Sequence, residues 1–381
     1  MSTSRDGSEI AQVEAHVYSA PLEDAIGYSQ GWLRTREAAV ARLETTDGTV
    51  GWGEGYSPAR ATAAAIDFVA DHYRGRSVFE RVAIARRAYA RLRDFGQTGI
   101  LSAALSAVAT ACCDAGAKQS GLPAWALLGG TRTPAWRPYA SGLCFQEQSE
   151  PTGHYSETAR RLTQAGFDAL KLKIGLGVEA DLLAVDQVLG AVEDSTAVMV
   201  DANHAYNWVE ALALERRLAS YPLTWLEEPL DPERPEDYAR LRARSSTPIA
   251  GGESICTRYG ARRWVEARAS DIFQPDLCLA GGLDEVIAIS SIAEASGMTI
   301  VPHGFSIGIG FAATLHWAAV IAKEELRVDP LWIEVDVTEN VMRDTMLDGS
   351  EWFDSAGTIL RLPDTPGLGV EPERIAEFRV A

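Results

Sequence analysis

The chain has 381 residues, 46% of them hydrophobic, and a formal net charge of −18. One α/β barrel takes about 250 residues, so the length leaves room for a second module, and the apolar fraction excludes disorder on a large scale. The acidic balance argues against nucleic acid, whose phosphates need a cationic face. An anionic substrate would have to meet locally placed positive charge.

The opening MSTSRDGSEI is polar and lacks the apolar stretch of a secretory signal. Strand-like runs follow at 10–19 and 36–44, the second joined through Thr46-Asp47-Gly48 to a third at 49–54, with Asp-Gly as the hairpin signal. Helical periodicity then covers 61–72, 78–92 and 101–119. Strands followed by helices predict a small α+β module over residues 1–132. The Gly- and Pro-punctuated stretch GLPAWALLGGTRTPAW marks its end.

From residue 133 the rhythm changes. Strand-like runs near 138–142, 168–174, 197–201, 223–227, 247–251, 271–275, 298–302 and 331–334 alternate with helical runs such as 156–164, 181–192, 210–220 and 283–295. Eight strands in alternation with helices predict an α/β fold, a modified (β/α)8 barrel over 133–354. The most apolar segment, 307–322, is too short to cross a bilayer and reads as a buried helix of the outer ring. Residues 355–381 are turn-rich and are predicted to return to the N-terminal cap. Five scattered cysteines without metal-ligand spacing fit a reduced, cytoplasmic protein.

Polar groups capable of chemistry close seven successive barrel strands: Lys171 and Lys173, then Asp201, Glu227, Glu253, Asp276, His303 and Glu334. Asp201, Glu227 and Glu253 are each 26 residues apart, the length of one strand, its turns and a return helix. These groups therefore occupy equivalent positions on neighbouring strands, at the rim where barrel active sites are built.

Asp201, Glu227 and Glu253 are hard oxygen donors that suit Mg²⁺, and an all-oxygen set disfavours zinc. One such acid would read as a helix cap; three in register do not. Glu228 points to the other side of its strand, and spacing alone does not choose between it and Glu227. Lys171 and Lys173, two apart, share a face, and their repulsion beside a divalent cation is expected to lower the pKa of one and make it a base. Asp276 and His303 close consecutive strands, so the carboxylate can fix the imidazole tautomer. His16, His72, His154 and His316 read as structural. Glu334, if protonated, could donate a hydrogen bond. Together these groups fit removal of a proton α to a carboxylate, with Mg²⁺ and an ammonium stabilising the enediolate and Lys173 and His303 addressing opposite faces.

The motifs GWGEG, KLK, DAN, EEP, GGES, QPD, PHGF, IE and LPDTPGLGVE occur in that order along nearly the whole chain. In this the chain resembles the enolase superfamily and, within it, the mandelate racemase group. The resemblance implies Asp201, Glu227 and Glu253 as Mg²⁺ ligands, with Asn203 a polar group near the metal. It implies Lys173 as base on one face, Lys171 against the substrate carboxylate, His303 supported by Asp276 on the other face, and Glu334 as donor to the enediolate. The muconate lactonising branch fits less well, since 271–283 contains no lysine and Leu279 is apolar. The implied substrate is a small-molecule carboxylate, an acid sugar. Dehydration to a 2-keto-3-deoxy acid is the first reading; epimerisation, or opening of a lactone or anhydro ring, is the alternative. The resemblance also implies a homo-oligomer, while the shortness of the most apolar segment predicts no membrane partner. Specificity is expected from cap loops, 25–34 with Tyr28, Ser29 and Trp32, and the loop around Tyr56, whose aromatic content fits sugar stacking and lid packing equally. A non-catalytic barrel is the rival of another class. It predicts the loss of a site group, and every expected position is filled.

Overall fold

The computed structural model describes residues 7–132, 136–147, 150–322, 330–347, 352, 358 and 360–380. The N-terminal module is an antiparallel meander of β1 (Ile10–Tyr28), β2 (Gly31–Thr45) and β3 (Val50–Gly55), followed by helices Ala59–Ala70, Arg81–Arg91 and Ile100–Gln119. The predicted helix at 78–92 is split: Val78–Glu80 forms one 3₁₀ turn, capped by the Ser77 side chain, before the helix proper. The first two strands run further than predicted. The polar stretch between Pro21 and Ile26 is an irregularity in the ladder, and pairing resumes with Ile26 opposite Leu33. Most of the expected loop at 25–34 is thus the tip of a long hairpin.

The GWGEG run explains how the cap packs. Residues alternate faces along a strand, so Gly51, Gly53 and Gly55 share one side of β3. A Cβ on Gly51 or Gly53 would lie 2.1 or 2.0 Å from the carbonyl oxygens of Ala111 and Ala107. The glycines let strand and helix backbones touch, and Glu54 is thereby turned the other way. The helix they meet, Ile100–Gln119, is apolar enough in length and composition to cross a bilayer, but its surface is spent as the cap's core.

Eight parallel strands form the second sheet: β4 (Trp136–Leu143), β5 (Ala169–Lys173), β6 (Ala197–Asp201), β7 (Leu223–Glu227), β8 (Ile249–Gly251), β9 (Ile272–Phe273), β10 (Thr299–Ile300) and β11 (Leu331–Asp336). They lie where the sequence places them, with the last strand paired to the first in the order β10-β9-β8-β7-β6-β5-β4-β11. The ladder is open between β10 and β11. There the Gly304 N–H donates to Glu334 Oε2 at 3.2 Å, and a Cβ on Gly304 would sit 3.2 Å from the Glu334 carbonyl oxygen. Inward residues Tyr139, Ala169, Met199, Trp225, Ala250 and Val301 pack into a buried floor, with Tyr139 and Trp225 edge to face at 5.4 Å.

The apolar stretch predicted as a buried helix is helix Gly308–Ile321. His316, on that helix, accepts from Trp125 N at 3.0 Å, and its other ring nitrogen lies 3.2 Å from the Leu368 carbonyl. Burial lowers its pKa to about 4, so it is a neutral pin between barrel, cap and tail, the structural part foreseen for it. The tail closes the cap sheet as predicted: β12 (Arg379–Val380) pairs antiparallel with β1. The expected module boundaries at 132/133 and 354/355 abut or fall among residues outside the described ones.

Candidate active site

Register brings the predicted rim groups together, since Lys173 pairs with Asp201 across β5–β6 and Asp201 with Glu227 across β6–β7. On β5, Ala169, Lys171 and Lys173 share a face in ascending layers. Lys171 rests 5.6 Å over the Tyr139 ring and is 2% exposed. Its Nζ lies 2.6 Å from Glu227, 2.7 Å from Glu334 and 3.8 Å from Asp201. Lys173 Nζ donates to Asp201 at 2.6 Å.

Burial opposes charge on both lysines, but the facing carboxylates outweigh it and hold both above the ordinary lysine range. Two of these carboxylates, Asp201 and Glu227, are expected metal ligands, so the neutral lysine expected from the sequence belongs to a site in which they share their charge with a divalent cation. Burial pushes Glu334 up as well, yet Lys171 and His303 prevail and hold it at about 2. Glu334 is therefore ionised and accepts from Lys171 and Gly304, rather than donating as a protonated acid. Lys171, walled in by its partners, lies below the cavity instead of lining it.

The Asp276–His303 pairing is realised. The two residues form a parallel bridge, and His303 Nδ1 lies 2.6 Å from Asp276 Oδ2. Asp276 is itself held by the Cys278 N–H at 2.6 Å. His303 Nε2 is 3.0 Å from Glu253 Oε2. Burial lowers the imidazole, but Glu253 and Asp276 outweigh it and raise it to about 10. Glu253 is pushed up to about 8 by burial and then by Glu228. It reaches the cavity because Gly252 turns the chain at φ +118°.

Each acid expected to bind metal is thus paired with a cation of the site: Asp201 with Lys173, Glu227 with Lys171 and Glu253 with His303. Among the described residues no three side chains converge in a ligand arrangement. The donors still suit a divalent cation. Three carboxylates stand on neighbouring strand ends, and Asn203 Oδ1 is buried without a hydrogen-bond partner. Glu227 also accepts from Trp225 Nε1 and Gln274 Nε2, both at 2.8 Å. Glu228, at φ +45°, turns aside to His204 Nε2 at 2.9 Å. Sequence reasoning missed His204. Its signal was its place three residues after Asp201, in DANHAY, where Asn203 and His204 both take positive φ.

The cavity over the rim holds about 550 Å³ and is lined by Lys173, Glu253, His303, Glu334 and Asn203 from the barrel. Tyr28, Trp32 and Tyr56 line it from the cap as predicted, and so do Arg34, Arg36 and Glu54, which the sequence reading passed over. Strand alternation could have found them. Trp32, Arg34 and Arg36 share a face of β2, and Glu54 faces away from the glycines of β3. Burial raises Glu54 to about 7. It accepts from Ile307 N at 2.9 Å and Gly310 N at 2.7 Å, capping helix Gly308–Ile321 from the other module. The hairpin tip is seated on the β6 end, with Ser29 Oγ 2.8 Å from the Ala202 carbonyl and 2.9 Å from that of Asn203.

Comparison with known proteins agrees with this architecture. Residues 10–129 match the model of the mandelate racemase / muconate lactonizing enzyme N-terminal domain, and residues 154–376 that of the enolase C-terminal domain-like family. The chain is 36% identical to D-galactarolactone cycloisomerase of Agrobacterium fabrum, covering 98% of this chain and 99% of the relative. It is 31% identical to arabinonate dehydratase of Saccharolobus solfataricus, covering 87% of each. Among solved structures, a racemase from Streptomyces coelicolor with bound magnesium superposes with a TM-score of 0.85 at 27% identity, covering 97% of this chain and all of that one (100%).

Proposed function

The chain belongs to the enolase superfamily, in its mandelate racemase group, and from that premise we propose that it removes the proton α to the carboxylate of an acid sugar and expels the β-oxygen. One observation carries the reading: Lys173 and His303, the latter anchored by Asp276, follow different strands and line the same cavity.

Asp201, Glu227 and Glu253 would hold a Mg²⁺, which would supply positive charge beside the carboxylate where negative charge develops. Lys173 acts as base once the charge of Asp201 is shared, because that carboxylate at 2.6 Å is what keeps the ammonium protonated. The Cα–H proton passes to Lys173 and its electron pair becomes the new C=C bond. The Cβ–O bond breaks, and the leaving oxygen takes a proton from His303 Nε2, whose Nδ1 is anchored by Asp276. The enol then tautomerises to a 2-keto acid. Lys171 beneath the cavity, paired with Glu334 in its wall, holds the floor's charge in place.

A free hydroxyl as leaving group means dehydration. A ring oxygen means ring opening without loss of water, and the 36% match along 98% of the chain to a lactone cycloisomerase favours this as the second reading. The five cysteines are all buried and free, in keeping with a reducing cytoplasm.

The test is incubation with Mg²⁺ in D₂O and a panel of mono- and diacid sugars, following Cα deuterium and 2-keto acid. Exchange without keto acid would indicate epimerisation. No exchange with any acid, or exchange indifferent to Lys173→Ala and His303→Asn, would overturn the proposal.

A further inference from the structure

We infer that Arg36, on the cap, reads the far end of the substrate and selects acid sugars that carry a second carboxylate. This rests on the acid-sugar reading above and names its substrate class.

Arg36 lines the cavity yet is only 5% exposed. A guanidinium has five N–H donors. Here Nε donates to the Glu339 carbonyl at 3.1 Å, and Nη2 donates both to Asp336 Oδ2 at 2.6 Å and to Thr338 Oγ1. The two N–H groups of Nη1 have no partner among the described residues, and Nη1 is not among the buried, unpaired atoms. They therefore look into the cavity. The plane is locked, with Phe305 stacked 4.0 Å from the guanidinium carbon. An arginine fixed by three bonds and a ring presents its remaining donors with little entropy left to lose.

Arg36 lines the same cavity as Lys173 and His303 but from the cap side, held there by Asp336 at the end of β11. A substrate with one end at the rim can therefore meet Arg36 with its other end. The Nη1 group offers only donors. A terminal carboxylate accepts only and carries the opposite charge, so it gains a charge-assisted bond that a neutral terminal CH₂OH does not.

The test compares kcat/KM for a hexaric acid, or its monolactone, with that for the hexonic acid of the same configuration, in wild type, Arg36→Lys and Arg36→Met. Wild type should prefer the diacid by roughly 10- to 100-fold, mostly in KM, and both variants should lose most of that preference. A wild type without preference, or variants that slow both acids equally, would overturn the inference. Because Arg36 also ties cap to barrel, inhibition of wild type by adipate and by hexanoate gives a readout that needs no variant. Adipate should bind at least about tenfold more tightly; equal inhibition would overturn the inference. α-Proton exchange with neither class of acid would instead sink the acid-sugar reading itself.

Discussion

The barrel rim and the cap wall face each other across one cavity and spend their polar groups differently. At the rim, charges neutralise one another at 2.6–3.0 Å over a rigid aromatic floor. On the cap, polar groups mostly bind the other module: Glu54 caps a barrel helix, Ser29 rests on the β6 turn and Arg36 grips the end of β11. In the proposed reaction the groups that move protons sit at strand ends over a packed floor. Groups that meet the variable part of a substrate sit on an element whose docking and selectivity are the same bonds.

This contrast can be broken at several points. The largest effect belongs to the rim. Lys173→Ala or His303→Asn should each lower the rate of α-proton exchange by roughly 10²- to 10⁴-fold, with circular dichroism confirming that the barrel persists. A loss below tenfold would mean that the rim is not where the proton moves.

The next effect lies at His316, between the two regions. Its folded pKa of about 4 lies below the ordinary 6.5, so the unfolded chain binds a proton that the native state refuses. Stability is whole above about pH 6.5 and falls as pH drops towards 4, by up to about 3 kcal/mol. Denaturant midpoints between pH 7 and 4 should show this slope, and His316→Gln should flatten it.

Glu54→Ala should cost about 1–3 kcal/mol, because two buried helix N–H groups lose their acceptor. Thermal unfolding checks the loss, and kcat/KM should fall with it if cap docking and turnover are linked. The smallest effect is expected at the hairpin tip. Ser29→Ala removes a contact to two carbonyls and should cost about 1 kcal/mol, appearing as a higher KM with kcat nearly unchanged. An effect on kcat instead would give the tip a place in the chemistry.

Much of this was legible in the sequence. The eight barrel strands, the returning tail, and the meeting of Asp276 with His303 followed from period, punctuation and the spacing of polar strand ends. The cap wall was less legible. Arg34 sits opposite the irregularity of β1 between Pro21 and Ile26, in a stretch read as loop, and Arg36 opens the predicted strand at 36–44, whose cavity face shows only once the cap is docked on the barrel. His204 was overlooked because its role needs Glu228, 24 residues away, turned by a positive φ that composition does not reveal.

By itself, the sequence determined which groups reach the rim, because side chains alternate along a strand and each βα unit returns the next strand to the same height. Only the tertiary structure decided what those groups are. The lysines face carboxylates that favour their charged forms, Glu334 accepts from Gly304 and pairs with Lys171, and the acids are each matched to a cation. Protonation depends on distances across strands and on how much water burial removes, and both arise when the barrel closes.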